Sequence, residues 1–170
     1  MTPLVPLSVA TVLALLLWPR KSVAASITVG EDLDVTSKHN TIEGLTRGER
    51  NKNPGNIAKN SANQWEGEVG DDGTYVIFDT DVHGIRAIAH VLKSYQKRGV
   101  RTIHDMVYTY SGTDQAAYSK NVADALGLEQ MDSPDLADLN TLVSMVTAII
   151  HQENGRVSYT PELITLAVQL

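Results

Sequence analysis

Hydropathy along the chain changes character twice. Residues 4–18 read LVPLSVATVLALLLW, an apolar run without a charge. Residues 26–46 then carry scattered single apolar positions with no sustained period, the pattern of a linker. Periodicity begins near residue 47. The segments 65–69 (WEGEV) and 74–78 (TYVIF) flank Gly70-Asp71-Asp72-Gly73 and predict a β-hairpin. Glu66 and Glu68 alternate in the first of these segments, so a regular strand would aim both at one face. Helical spacing follows. Val82, Ile85, Ile88, Ala89, Leu92 and Tyr95 form one stripe that stops before Gly99.

Ile103, Met106, Val107 and Tyr110 predict a second helix closing at Ser111-Gly112, and Ala117, Tyr118, Val122 and Ala125 a third over roughly 114–126. Ser133-Pro134-Asp135 has the form of a capping hydroxyl followed by proline at the first helical position, and predicts the start of a fourth helix. Its apolar face is read as Leu136, Leu139, Val143, Val146, Ile149 and Ile150, ending at Asn154-Gly155. Thr160-Pro161-Glu162 repeats the opening for a last helix with Leu163, Ile164, Ala167 and Val168. Residues 51–56 (NKNPGN) are dense in turn formers, with Pro54-Gly55 suited to the centre of a type II turn. The fold class expected is α+β, mostly helical, with one small hairpin over residues 47–170. A hydrophobic segment at 1–26 and a linker at 27–46 precede it.

The apolar run is close to the ~17–20 residues that span a bilayer. The first charges are Arg20 and Lys21, on its carboxyl side. A secretory signal carries its cations before the apolar stretch, so an uncleaved transmembrane helix is the preferred reading. Val23-Ala24-Ala25 also resembles a cleavage site, which leaves export to the periplasm after signal removal as the alternative.

Charge sharpens the picture. The chain has 14 Lys+Arg against 20 Asp+Glu, and residues 27–170 carry a net of −8. Such an acidic domain is unsuited to nucleic acid, whose binding is driven by cations that displace phosphate counterions. The absence of cysteine excludes disulfides and thiolate chemistry. The histidines at 39, 83, 90, 104 and 151 form no metal-binding spacing, and no Gly-x-Ser-x-Gly, Gly-x-Gly-x-x-Gly or Walker loop occurs. No metal and no cofactor is expected.

Glu153 lies four residues beyond Ile149, at the edge of a buried stripe. A carboxyl group half in an apolar setting has its charged form desolvated, the condition a general acid for glycoside cleavage requires. A solvated glutamate at a helix end is the plainer reading of the same pattern. Glu66 and Glu68 are candidates for a second carboxylate, and Glu43 and Glu49 for an alternative acid. Asp71 and Asp72 read as turn residues.

Several motifs occur together: Arg50-Asn51-Lys52-Asn53-Pro54-Gly55-Asn56-Ile57, Trp65-Glu66-Gly67, Phe78 with Gly84-Ile85-Arg86-Ala87, Leu92 with Tyr95, Thr102-Ile103, Tyr118, Glu153-Asn154-Gly155 and Tyr159-Thr160. Over about residues 47–166 the combination resembles small virion structural proteins of phages and prophages, including membrane-containing tailless phages. The order of loop, hairpin, phenylalanine strand and helix is also similar, more distantly, to glucosaminidase-type hydrolases of lysozyme-like fold. Those enzymes carry the catalytic glutamate on a helix before the loop, whereas here the helix ending at Glu153 stands in that role. This resemblance implies a circularly permuted lysozyme-like domain, with the carboxyl-terminal helix packed beside the 51–57 loop.

It further implies cleavage of peptidoglycan glycan strands by hydrolase or lytic-transglycosylase chemistry. Glu153 would protonate the leaving oxygen, and Asn53, Asn56, Trp65 and Tyr75 would line the saccharide groove. The expected partners are peptidoglycan, a membrane through residues 4–18, and capsid or other virion proteins. The expected location is the virion, with the host inner membrane as the site of assembly. The rival expectation is a non-enzymatic virion protein linking viral membrane and capsid.

Overall fold

Thr46, Thr80, Thr102, Asp138 and Thr160 each sit in extended backbone and accept a hydrogen bond from the amide three residues on. A helix follows every one, because the cap satisfies an amide that the first turn leaves unpaired. The computed structural model describes residues 44–113 and 115–170. Their elements are α1 (Arg47–Arg50), β1 (Glu68–Asp71), β2 (Val76–Phe78), α2 (Asp81–Lys97), α3 (Ile103–Ser111), α4 (Ala116–Leu126), α5 (Leu139–Asn154) and α6 (Pro161–Gln169). The fold is mostly helical with one two-stranded antiparallel sheet, an α+β arrangement. Among the described residues no helix is long and apolar enough to cross a membrane. The expected anchor at residues 4–18, and Glu43, lie outside the described residues.

α2 packs against β2, α5 and α6, so its Ile85, Ile88 and Leu92, each fully buried, reach the middle of the core. Facing them are Met145, Ile149 and Ile150 of α5, Ile164 of α6 and Phe78 of β2. Burying one such side chain contributes about 1.5–3 kcal/mol. Gly84 lets the preceding loop lie directly on α2, since a Cβ there would stand 1.9 Å from the Lys52 carbonyl oxygen.

The predicted elements differ from the structure at four places. Helix α5 begins at Leu139 rather than at Ser133-Pro134. Asp135 closes a separate turn by accepting from the Ala137 and Asp138 amides, and Asp138 takes the cap. Leu136 is buried, but outside the helix. The stripe of α4 is rotated relative to the expected one. Tyr118, Ser119, Val122 and Ala123 face inward while Ala117 and Ala125 are exposed, and Ser119 is accommodated by donating to the Ala116 carbonyl. Strand β1 starts at Glu68 and has an irregular register between Glu68 and Gly70, so Glu66 lies in a turn and does not share a strand face with Glu68. Finally, α1 is a short helix at Arg47–Arg50, between the expected linker and the turn-rich loop, where no element was expected. Its Thr46 and Glu49 form a reciprocal capping box.

Candidate functional site

The buried face of α5 runs Leu142, Met145, Val146, Ile149 and Ile150, and Glu153 is the next position on that face. Gly155 ends the helix with φ 70°, its amide donating to the His151 carbonyl at 2.7 Å. Glu153 is half-buried, and each carboxyl oxygen has one donor. The Tyr118 hydroxyl donates to Oε1 at 3.1 Å and the Asn56 side-chain amide to Oε2 at 3.0 Å. Tyr118 is 2% exposed on α4. Burial, and then the neighbouring Glu153 carboxylate, push its hydroxyl far above the ordinary tyrosine value, so it remains a neutral donor.

The loop that carries Asn56 is fixed from three sides. The Asn56 amide donates to the Asn53 carbonyl at 2.9 Å and closes a turn over Pro54-Gly55. The left-handed residues are Lys52 (φ 49°) and Asn56 (φ 48°), not Gly55, so the expected type II turn is replaced by one whose strained position follows it. Gly55 is required by space: a Cβ would stand 2.3 Å from the Tyr110 hydroxyl and 2.6 Å from Ile88. Tyr110 instead donates to the Gly55 carbonyl at 2.6 Å. On the sheet side, Val76 donates to Ile57 and Phe78 to Asn51, both at 3.0 Å. On the helix side, Asn154 donates to the Pro54 carbonyl at 2.7 Å and accepts from the Thr46 hydroxyl at 2.5 Å. The end of α5 therefore packs beside the 51–57 loop.

A cleft of about 590 Å³ opens on this seam. Glu153, Asn56, Trp65 and Tyr75, four of the residues singled out in the sequence, line it together with Tyr95 and Tyr110. Among the described lining residues Glu153 is the one carboxylate. The Arg47 guanidinium covers one face of the Tyr75 ring at 4.6 Å. The buried Trp65 indole N–H has no acceptor among the described residues.

The remaining candidates are not brought to the cleft. Asn53 is fully buried: its amide donates to the Ile57 and Val76 carbonyls at 3.0 and 2.8 Å and its oxygen accepts from the Ile57 amide at 2.9 Å. With those bonds made it braces the loop and is not a groove residue. Glu66 pairs with Arg86 at 2.9 Å, and Glu68 accepts from the Trp65 amide at 3.2 Å. Neither lines the cleft. Glu49 is 8% exposed and holds Arg156 through Nε at 2.9 Å and NH2 at 2.5 Å, with Ser158 at 2.5 Å and the Thr46 amide at 2.7 Å. Arg156, against the opposing effect of burial, draws its carboxyl group down to about 2. A group held ionised in this way is a poor proton donor, so Glu49 is a structural carboxylate and not an alternative acid.

Three residues of the site carry no signal of their role in the periodicity. Tyr118 and Tyr110 read as core, and Asn154 as part of a helix stop. The one sequence hint is a hydroxyl or amide on an otherwise apolar stripe, which needs a polar partner once buried. No protein-family model matches the chain. Protein P5 of Pseudoalteromonas phage PM2 is 36% identical to it over 127 residues, an alignment that covers 70% of this chain and 78% of that protein. At that identity and coverage, the chain belongs to the family of phage proteins represented by Protein P5 of Pseudoalteromonas phage PM2.

Proposed function

We propose that the chain is a virion protein, anchored in a membrane through residues 4–18, that cleaves the glycan strands of peptidoglycan with Glu153 as its acid. The observation that carries this reading is the setting of Glu153. It is the sole carboxylate among the described lining residues of a cleft that also presents Trp65, Tyr75 and amide side chains. Aromatic faces and amides suit a sugar, which offers apolar ring faces and a rim of hydroxyls. The lysozyme-like, circularly permuted relationship belongs to the same proposal. What supports it is the contact between the end of α5 and the 51–57 loop.

In the reaction, protonated Glu153 gives its proton to the glycosidic oxygen as the bond to the anomeric carbon breaks. The electron-deficient sugar is then captured by water or by one of its own hydroxyls. The Glu153 carboxylate takes up the proton released in that step. With one carboxylate among the described lining residues, assistance from the sugar itself is favoured over a two-carboxylate scheme. Tyr118 and Asn56 hold the carboxyl group through both oxygens. Zymography of the purified chain on cell-wall gels tests the proposal. Clearing by the wild type, lost in Glu153→Gln, is the expected result. No clearing by the wild type over a range of pH overturns the enzyme and leaves a structural virion protein, whereas equal clearing by the variant overturns only the role of Glu153.

A further inference from the structure

Three asparagine side chains meet where α1, the 51–57 loop and the end of α5 come together, and two of them are fixed. Asn53 donates its amide to the Ile57 and Val76 carbonyls and accepts from the Ile57 N–H. Asn154 donates to the Pro54 and Ile150 carbonyls and accepts from the Thr46 hydroxyl. Reversing either amide would turn its oxygen against carbonyls and its NH2 against a donor. Asn56 differs. Its NH2 donates to Glu153 Oε2, while its own oxygen is buried with no donor among the described residues. That oxygen also stands among other oxygens. A Cβ on Gly48 would lie 2.9 Å from each of Asn56 Oδ1, Asn154 Oδ1 and the Asn53 carbonyl oxygen, so all three point into one small space over the Gly48 Cα. An unsatisfied buried acceptor is costly, and acceptors facing it add to the cost.

We propose that the Asn56 side-chain amide reverses each time Glu153 gains or loses its proton, and that Asn56 is the positioning residue that holds the proton on this acid. The inference deepens the reading of Glu153 given above and rests on it. With Glu153 ionised, Tyr118 donates to Oε1 and Asn56 must donate to Oε2, which leaves Asn56 Oδ1 in the oxygen-lined space. A proton on Oε2 needs an acceptor, and half a turn of the Asn56 amide supplies one. The same turn sends the NH2 towards the Asn53 carbonyl and Asn154 side-chain oxygens, each able to accept a second hydrogen bond. Both ends of the amide then face partners, whereas only one end does while Glu153 is charged. The imbalance favours the protonated acid, the opposite of what a plain donor does to a carboxylate. Gly48 keeps the space open, since any side chain there would fill it. The proton bound to Oε2 comes from solvent and leaves to the glycosidic oxygen. Neighbouring groups stay in one charge state meanwhile. Burial holds Tyr118 on α4 and Tyr110 on α3 neutral, and raises Tyr95 on α2 in the same direction. The nearby cations Arg47, Lys59 and Arg156 pair with Asp72, Asp71 and Glu49. Glu49 itself titrates near 2, and His151 lies two positions back on α5, round the far side of the helix.

The test follows the full, isotope-labelled chain by NMR from neutral pH down through the titration of Glu153, with no substrate present. The Glu153 carboxyl carbon resonance reports its protonation, and nuclear Overhauser contacts of the Asn56 NH2 report which way the amide faces. At neutral pH the contacts should run to the side of Tyr118. As Glu153 takes up its proton they should move to the Gly48 α-protons, with the same midpoint. Contacts unchanged across the titration overturn the switch. In Glu153→Gln the contacts should no longer depend on pH, and a pH-dependent reversal that survives there also overturns it. Asn56→Gly, which suits the φ of 48° at that position, reads the sign. Loss of the group that holds the proton should lower the Glu153 midpoint by about 0.5 in pH or more. A rise, as expected for a plain donor to the carboxylate, or no change would overturn the proposal. Because no turnover is read, failure here is distinct from failure of the enzyme. A chain that clears cell wall without reversing the amide keeps its acid and loses only the switch, and one that reverses the amide but clears nothing keeps the switch and loses the reaction.

Discussion

Glu49 and Glu153 stand on two elements that meet at one seam, and both lose solvent there, yet their surroundings make them different reagents. Glu49 is met by the Arg156 guanidinium, by Ser158 and by the Thr46 amide, all favouring its ionised form. Glu153 is met by two neutral donors, Tyr118 and Asn56, and its remaining side opens to the cleft. The charge of the partner, more than the degree of burial, decides whether a carboxyl group is held ionised, as Arg156 holds Glu49. A guanidinium would have locked Glu153 as it locks Glu49.

The largest effect expected from breaking this comparison is on the reaction. Glu153→Gln keeps an acceptor oxygen and a similar shape but removes the proposed proton donor, and should lower the proposed glycan cleavage by about 10²–10⁴-fold, the usual contribution of a general acid. Its melting temperature should stay close to wild type, because Asn56 keeps the amide oxygen as acceptor and the Tyr118 hydroxyl can rotate to accept from the new NH2 group. Turnover of purified peptidoglycan alongside thermal unfolding reads both quantities. A variant as active as the parent would transfer the acid to another group.

Glu49→Gln should do the reverse. It breaks the charge-assisted bonds to Arg156 and Ser158 and costs about 1.5–3 kcal/mol of stability by chemical denaturation, with activity per folded molecule little changed. A variant that loses cleavage while remaining folded would contradict the division.

Acid sharpens the same contrast. The Glu49 carboxyl group titrates near 2 in the folded protein against 4.5 without its partners, so folding favours its ionised form. Its contribution to stability is therefore fully present above about pH 4.5 and fades as pH falls towards about 2. The stability gap between wild type and Glu49→Gln should narrow over that window. A gap constant from pH 6 to pH 2 would mean that Arg156 does not stabilise the carboxylate.

How much of this was legible in the sequence depends on the range of the interactions. The periodic helices and their caps are local, so α2, α3 and α6 lie where spacing and capping place them. The start of α5 was misread because Ser133-Pro134 has the form of a cap, while Asp135 and Asp138 make competing local bonds. Glu153 could be singled out because it continues an apolar face four residues on. Its donors could not, since Asn56 is 97 residues away and Tyr118 is 35. Asn53 illustrates the opposite error. An asparagine in a turn-rich loop reads as a polar group free for a ligand, yet its four-residue reach to Ile57 and its long reach to Val76 consume it in backbone bonds.

The smallest of the expected effects bears most directly on what holds Glu153. Tyr118→Phe removes the hydroxyl that bonds Oε1 and leaves the ring in its buried place on α4. The lost bond should cost about 1 kcal/mol of stability and, if orientation of the carboxyl group limits the reaction, lower cleavage by roughly tenfold. Asn56→Gly removes the donor to the other oxygen and suits the left-handed backbone there, so the two substitutions form a double-mutant cycle around one carboxyl group. If both donors orient the same group, the combined loss in rate should differ from the sum of the single losses in free energy. Strict additivity in rate would mean that each residue acts on the loop or the helix it belongs to. Glu153 would then be held by the end of α5 alone.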